Sequence, residues 1–387
     1  MREVFAAFLK LGLTSFGGPV AHLGYFQQEF VVRRKWLDNR AFADLVALCQ
    51  FLPGPSSSQV GIALGLSRAG FGGALAAWVA FTLPSALLLM VFAAGLDSFG
   101  AMLGAGSVHG LKVAAVAVVA VAIFSMARAL PADRLRGVLV AGATAIALAL
   151  PSAWGQIGAI VLAAAVGMVC CRGEVSDTLV HVPVSVSRRA GAAALVLFFA
   201  LLVVLPLLAA ALSNHALTLF ATFYRVGSLV FGGGHVVLPL LQAEVVVPGW
   251  VGNDVFLAGY GAAQAVPGPL FSFAAYLGMV MTPPPNGWAG AALCLVAIYL
   301  PSLLLAIGVL PFWDQLRRSA WTQAALRGVN AAVVGLLIAA FYQSMWTVAI
   351  LGSADFALAL TAALLLVPGR APPWLVVVLC ALVGTVL

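Results

Sequence analysis

Apolar runs cover nearly the whole chain, and short polar stretches between them mark where each run ends. Runs long enough to cross a bilayer as helices fall near residues 72–95, 109–128, 137–151, 155–171, 190–212, 287–311, 328–347, 354–368 and 372–387. A helix rises about 1.5 Å per residue and a hydrocarbon core is about 30 Å thick. The runs at 137–151 and 372–387 are short for that. Four other apolar stretches are broken near their middle: Phe16-Gly17-Gly18-Pro19, Pro53-Gly54-Pro55, Phe231-Gly232-Gly233-Gly234 and Pro267-Gly268-Pro269. Proline and glycine interrupt helices, and unpaired backbone groups in lipid cost several kcal/mol unless protein or a water-filled cavity satisfies them. Such breaks indicate a polar site inside the membrane.

The breaks recur because the chain repeats. At an offset of 215 residues, Phe5, Phe8, Gly12, Phe16, Gly17, Gly18, Leu23, Gln27 and Glu29 fall on Phe220, Phe223, Gly227, Phe231, Gly232, Gly233, Leu238, Gln242 and Glu244. After a one-residue gap, Trp36, Asn39, Phe42, Gln50, the Pro-Gly-Pro and Ser58 match Trp250, Asn253, Phe256, Gln264, the second Pro-Gly-Pro and Ser272. Pro84-Ser85 matches Pro301-Ser302. The expected units are a repeat over 1–171, a polar linker with one helix over 172–215, and a repeat over 216–387. That extra helix would invert the second repeat relative to the first.

Charge places the ends. The first repeat carries Arg33-Arg34-Lys35 and Arg40 where the second has Val247-Pro248-Gly249 and Asp254. Basic loops stay cytoplasmic, so these two loops are expected on opposite sides. If each broken segment enters and returns on one side, every basic loop residue is cytoplasmic. If each crosses fully, either Arg33 to Arg40 or the group from Arg128 to Arg189 lies outside. The hairpin threading is preferred. The expected fold is an all-α polytopic membrane protein with two inverted-topology repeats, about nine full spans and four re-entrant hairpins.

Composition agrees and narrows the function. The 387 residues are 63% hydrophobic and 8% charged, against about 25% charged in a soluble domain. The net charge of +7 comes from loop bases and does not suggest nucleic acid binding. The apolar run containing Lys10 has no cleavage site after it, so no removable leader is expected. The five cysteines lack metal-ligand spacing. No phosphate loop, zinc motif or nucleophile elbow is present, so the chain is expected not to be an enzyme and to need no cofactor. A homodimer stays open.

Each hairpin tip would offer a half-helix N-terminus, where free N–H groups favour anions. The candidate binding set is Gly17, Gly18, Gln50, Pro53, Gly54, Pro55, Ser56, Ser57 and Ser58, with Gly232, Gly233, Gly234, Gln264, Pro267, Gly268, Pro269 and Ser272 in the second repeat. His22 and His235 follow the glycine breaks. Lys10 and Arg225 align inside apolar segments, where charge is costly and usually functional. Together they could balance a dianion, or snorkel to the interface. Lys112 is a third, weaker candidate. Glu29 and Glu244 could relay protons, or Glu29 could simply pair with Arg33 at i+4. Glu244 has no base at that spacing.

Two tandem halves, each with an FGG-type first hairpin, a tryptophan and phenylalanine entry (Trp36, Phe42; Trp250, Phe256) and a Gln-x-x-Pro-Gly-Pro break, resemble the long, two-half members of the chromate ion transporter family. The resemblance covers nearly the whole chain. The glycine motif ends in Pro19 in the first half and in Gly234-His235 in the second. Membership implies efflux of chromate across a bacterial inner membrane, and with it chromate resistance. Sulfate or another oxyanion is the alternative ligand by shape and charge, and an anion channel is the alternative mechanism.

Overall fold

The computed structural model describes residues 1–130, 133–150, 152–170, 186–231, 236–316, 319–367 and 371–385, and every regular element among them is helical. The first half begins with α1 (Arg2–Thr14) and α2 (Gly18–Phe26), which widens into a π-helix over Gln27–Arg33. It continues with α3 (Asn39–Phe51), α4 (Ser56–Ala129), α5 (Arg134–Ala149) and α6 (Ala153–Cys170). A linking helix, α7 (Arg188–Leu212), follows. The second half holds α8 (His215–Leu229), α9 (Val237–Val245), α10 (Asn253–Ala265), a 3-10 turn over Leu270–Ser272 running into α11 (Phe273–Val280), and α12 (Gly287–Val309). It ends with α13 (Trp313–Leu316), α14 (Ala320–Ala340), α15 (Thr347–Ala349), α16 (Ser353–Leu366) and α17 (Pro373–Gly384).

Five stretches are long and apolar enough to cross a membrane: Ser56–Gly95, Gly106–Arg128, Arg188–Leu212, Gly287–Phe312 and Ala320–Ala349. The protein is a multi-pass membrane protein. Four of the nine expected spans are shorter: α5, α6, α16 and α17 have 16, 18, 14 and 12 residues. Their apolar runs are cut by caps and prolines, such as Pro372 and Pro373 at the start of α17. Instead of standing alone they lean on the long helices. Gly167 of α6 lies against Ala324 and Gly328 of α14, and Gly384 of α17 lies against Gly106 and Gly110 of α4. Each half therefore lends its last helix to the other half's long helix, through glycines that let the backbones touch.

The outer ends of both broken segments of the first half lie together. Arg34 and Arg68 each reach Glu3 at 3.3 Å, the Trp36 indole donates to Glu3 at 3.3 Å, and Arg68 stacks over Trp36. Residues 3, 34 and 68 thus meet at one end, although a broken segment separates each from the next. The carboxyl of Glu3 sits below the usual carboxylate range; burial opposes this, but Arg68, Trp36 and Arg34 outweigh it. The second return is sharp. Gly70 takes φ +63, and Gly65 and Gly73 touch across the turn. In a straight helix those two glycines would stand about 12 Å apart. The second half repeats the pattern: the His215 ring packs on Trp250 at 4.9 Å, and Thr282 N–H donates to Trp250 O at 3.1 Å. There Gly278 and Gly290 make the close contact.

The halves differ around α3 and α10. In α10, Leu257 and Gly261 are buried, with Gly261 pressed on Leu111 of α4. Their counterparts in α3, Ala43 and Ala47, are exposed, as is Gln50.

Candidate functional site

The two Pro-Gly-Pro breaks meet the ends of the opposite half's first helix. Gly54 N–H donates to Val230 O at 2.6 Å, and Gly268 N–H donates to Ser15 O at 2.8 Å. Ser15 and Val230 are repeat equivalents, as are the two glycines, so this is one contact made twice. Gly54 and Gly268 take φ +118 and +105, conformations glycine adopts without steric cost. The space where a Cβ would sit is filled by Ser302 at Gly54 and by Ser85 at Gly268. These serines follow Pro84 and Pro301, which lie inside α4 and α12. Proline withholds the amide that would pair with the carbonyl four residues earlier. Around Pro84 that carbonyl belongs to Ala80, and Gly12 of α1 packs so close to it that a Cβ on Gly12 would lie only 2.8 Å from its oxygen.

The helix that starts after the first break carries Ser56, Ser57 and Ser58, all buried, and its N-cap, Pro55, provides no side-chain cap. The buried His22 places Nδ1 3.3 Å from the Ser57 hydroxyl, and its Nε2 has no partner. Pro53 O accepts from Gln59 at 2.6 Å. Gly17 and Gly18 take φ +95 and +76 between α1 and α2. In the second half, Ser272 is fully buried and Pro267 and Pro269 are buried with it, while Gln264 has an unpartnered Nε2. Gln50 stands on the exposed side of α3, away from this packing. Gly232, Gly233, Gly234 and His235 lie outside the described residues.

The candidate cations and carboxylates find each other. Arg225 Nη2 donates to both Glu244 carboxylate oxygens, at 2.6 and 2.7 Å, and Arg225 Nε donates to one of them at 3.2 Å. Lys10, whose side chain is 52% exposed, stands 3.6 Å from Glu29. Glu29 also accepts from Arg33 at 3.2 Å and Arg34 at 2.7 Å. The π-helix around Glu29 brings both arginines to one carboxylate. Glu244 gets its base from nineteen residues earlier, on the neighbouring helix, a partner that local spacing could not reveal. Lys112 pairs with Asp254 at 2.7 Å. All three basic candidates are thus engaged with carboxylates. Two repeat-matched residues left without a role by sequence reading also explain themselves: Gln27 donates to Asn39 at 2.9 Å, and Gln242 to Asn253 at 2.7 Å. Each pair ties the exit of one broken segment to the start of the next.

Sequence reading missed a set of hydroxyls beside the helix prolines, on Thr82, Ser85, Tyr299 and Ser302. The signal was available: polar residues at repeat-matched positions in otherwise apolar runs. Surface cavities lie elsewhere among the described residues. One of about 50 Å³ lies between Gln156, Gln242 and Gln343, and an open groove of about 610 Å³ runs along α5 between Leu130 and Ile338.

The family model for "Chromate transporter" matches this chain twice, over residues 2–171 and 217–385. The chain belongs to the chromate transporter family. It is a long-chain member with two family units, and the family is one of transporters, not enzymes. It is 30% identical to the chromate transport protein of Pseudomonas aeruginosa over 343 residues, covering 87% of this chain and 79% of that one. It is 27% identical to the chromate transport protein of Cupriavidus metallidurans, covering 88% and 81%. A shorter match, 38% over 88 residues, joins it to an uncharacterized transporter of Bacillus subtilis, covering 23% of this chain and 49% of that protein. No solved structure matches.

Proposed function

We propose that this family member exports chromate from the cytoplasm across a bacterial inner membrane, conferring resistance, through a site where its two halves meet. The halves, 1–171 and 216–387, are inverted repeats joined through 172–215, and their broken segments are re-entrant. The reciprocal bond pair, Gly54 to Val230 and Gly268 to Ser15, carries this reading. It sets four chain breaks, two from each half, in two crossed contacts.

Helix geometry supports inversion. The junction at Trp250 and Thr282 stands at the start of α12, while Trp313, just past its far end, donates to Asp44 of α3 at 3.3 Å. Twenty-three helical residues separate the two ends by about 35 Å. That separation supports a reading in which the basic junction around Arg34 and Arg68 and the one around Trp250 lie on opposite membrane faces. Thiol labelling of Lys35→Cys and Gly249→Cys should report opposite sides, and labelling from one side alone rejects inversion.

Direction follows from charge. With the cytoplasm negative, outward movement of a dianion is favoured by about 4.6 kcal/mol per 100 mV, twice the value for one charge. Export therefore needs no coupling ion. Proteoliposomes with imposed voltage and imposed pH gradients, applied separately, test this. Chromate flux should follow voltage alone. Flux driven only by the pH gradient would assign the work to Glu29 and Glu244 instead. Sulfate, with similar shape and charge, should compete. Single-channel currents in a planar bilayer would replace the transporter reading by a channel.

A further inference from the structure

Three repeat-equivalent pairs of hydroxyls converge where the halves cross: Ser58 with Ser272, Thr82 with Tyr299, and Ser85 with Ser302. Each of these residues is at most 2% exposed. The Ser85 and Ser272 hydroxyls stand 2.6 Å apart, bridging the halves, and Ser85 donates to Thr82 O at 2.9 Å. Ser302 and Ser85 press on the glycines of the two Pro-Gly-Pro breaks. The Tyr299 hydroxyl lies within loose hydrogen-bonding reach of Ser58, Thr82 and Ser272, but makes no hydrogen bond of good geometry. The hydroxyls of Ser58, Thr82 and Ser302 also lack a well-formed partner.

A buried hydroxyl left unsatisfied is destabilising. Helix packing needs no such groups, since alanine or valine would fill the same space without that cost. Four together, at the one place where both halves contribute equally, indicate a polar guest. None of the six carries charge, and no carboxylate stands among them to hold a cation. The uncapped helix start at Ser56–Ser58 adds backbone N–H groups and a positive dipole end. Donors of this kind suit the oxygens of an anion.

We propose that Ser58, Thr82, Ser85, Ser272, Tyr299 and Ser302 form a neutral coordination shell for the transported oxyanion, contributed equally by the two halves. The shell rests on the oxyanion reading above and assigns the contacting atoms to hydroxyls, not to Lys10 and Arg225, which are held by Glu29 and Glu244. A shell of dipoles binds a dianion without a fixed countercharge, so the ion is held loosely enough to leave.

The test uses three variants that each remove a hydroxyl and keep shape: Thr82→Val, Tyr299→Phe and Ser302→Ala. Thr361→Val, whose hydroxyl bonds only to its own helix, is the control. In proteoliposomes each of the three should raise the chromate KM at least fivefold while the melting temperature stays within about two degrees of the parent. The control should match the parent. If all three keep KM within twofold, the hydroxyls are packing groups and the shell is wrong. Parent protein that moves neither chromate nor sulfate overturns the transport reading instead. The shell is then read by chromate binding to purified protein: a thermal shift seen in the parent and lost in Tyr299→Phe supports it, and no shift in the parent overturns it.

Discussion

Gly54 and Gly268 show how little freedom a single position can have. Each holds a left-handed backbone, and each has a serine of the opposite half where a side chain would go. Gly54→Ala or Gly268→Ala should therefore lower stability by about 1–3 kcal/mol from backbone strain alone, with more from the displaced serine. A thermal melt in detergent reads this, and an unchanged melt would mean the crossing is not as tight as drawn. Arg225 and Glu244 offer a sharper contrast. Removing one partner of a largely buried pair leaves a stranded charge, a loss of about 3–5 kcal/mol. Arg225→Gln should thus melt early, and Arg225→Gln with Glu244→Gln should recover much of the loss. If the arginine instead binds the transported anion, the double variant folds but its chromate KM stays raised.

At the scale of elements, the breaks, the duplication and several helix limits were legible in the sequence, but the runs expected as separate spans at 72–95 and 109–128 fall within one continuous helical assignment, α4. Glycine, proline and repeated apolar runs act locally, so their effects can be read locally. The expected start at 328 for the helix that begins at Ala320 was late because Arg327 resembles a loop base, yet it lies inside the helix. The runs of α5 and α17 already read as short for a span; those of α6 and α16 did not, because composition does not reveal what a helix leans on. The partners of Glu244, Lys112 and Trp250 lie 19, 142 and 32 residues away in the chain, beyond any local pattern. The junction around Glu3 is such a long-range feature, and it has a pH signature. Its depressed carboxyl is ionised and engaged at neutral pH, and protonation on acidification releases Arg34, Arg68 and Trp36. Hydrogen–deuterium exchange across residues 2–10 should rise in Glu3→Gln at neutral pH. In the parent it should rise only as pH falls below the ordinary carboxylate value of 4.5. Equal exchange in both proteins would show that the junction does not hold α1.

At the scale of the molecule, the junction of the first half is rich in basic residues and the equivalent stretch of sequence in the second half has none. Arg33, Arg34, Lys35, Arg40 and Arg68 surround the first-half junction, whereas the equivalent stretch of the second half carries Asp254. A basic mouth concentrates anions by its field, and the effect fades as salt screens it. Raising ionic strength on that side should weaken chromate entry more than raising it on the other.

The unequal cover over α3 and α10 gives the molecule a posture. Leu111 packs on Gly261 and Lys112 pairs with Asp254 along α10, while Ala43 and Ala47 of α3, the counterparts of Leu257 and Gly261, are exposed. Two like halves in unlike poses can trade them, and after the trade the open flank would be the other one. Joining Lys112→Cys to Asp254→Cys with a short reversible cross-linker should then stop transport until the link is reduced. Undiminished flux through the linked protein would mean the pose is fixed. The crossing point would in that case be a turnstile with only one door: an ion could enter from the basic side but would find no way out.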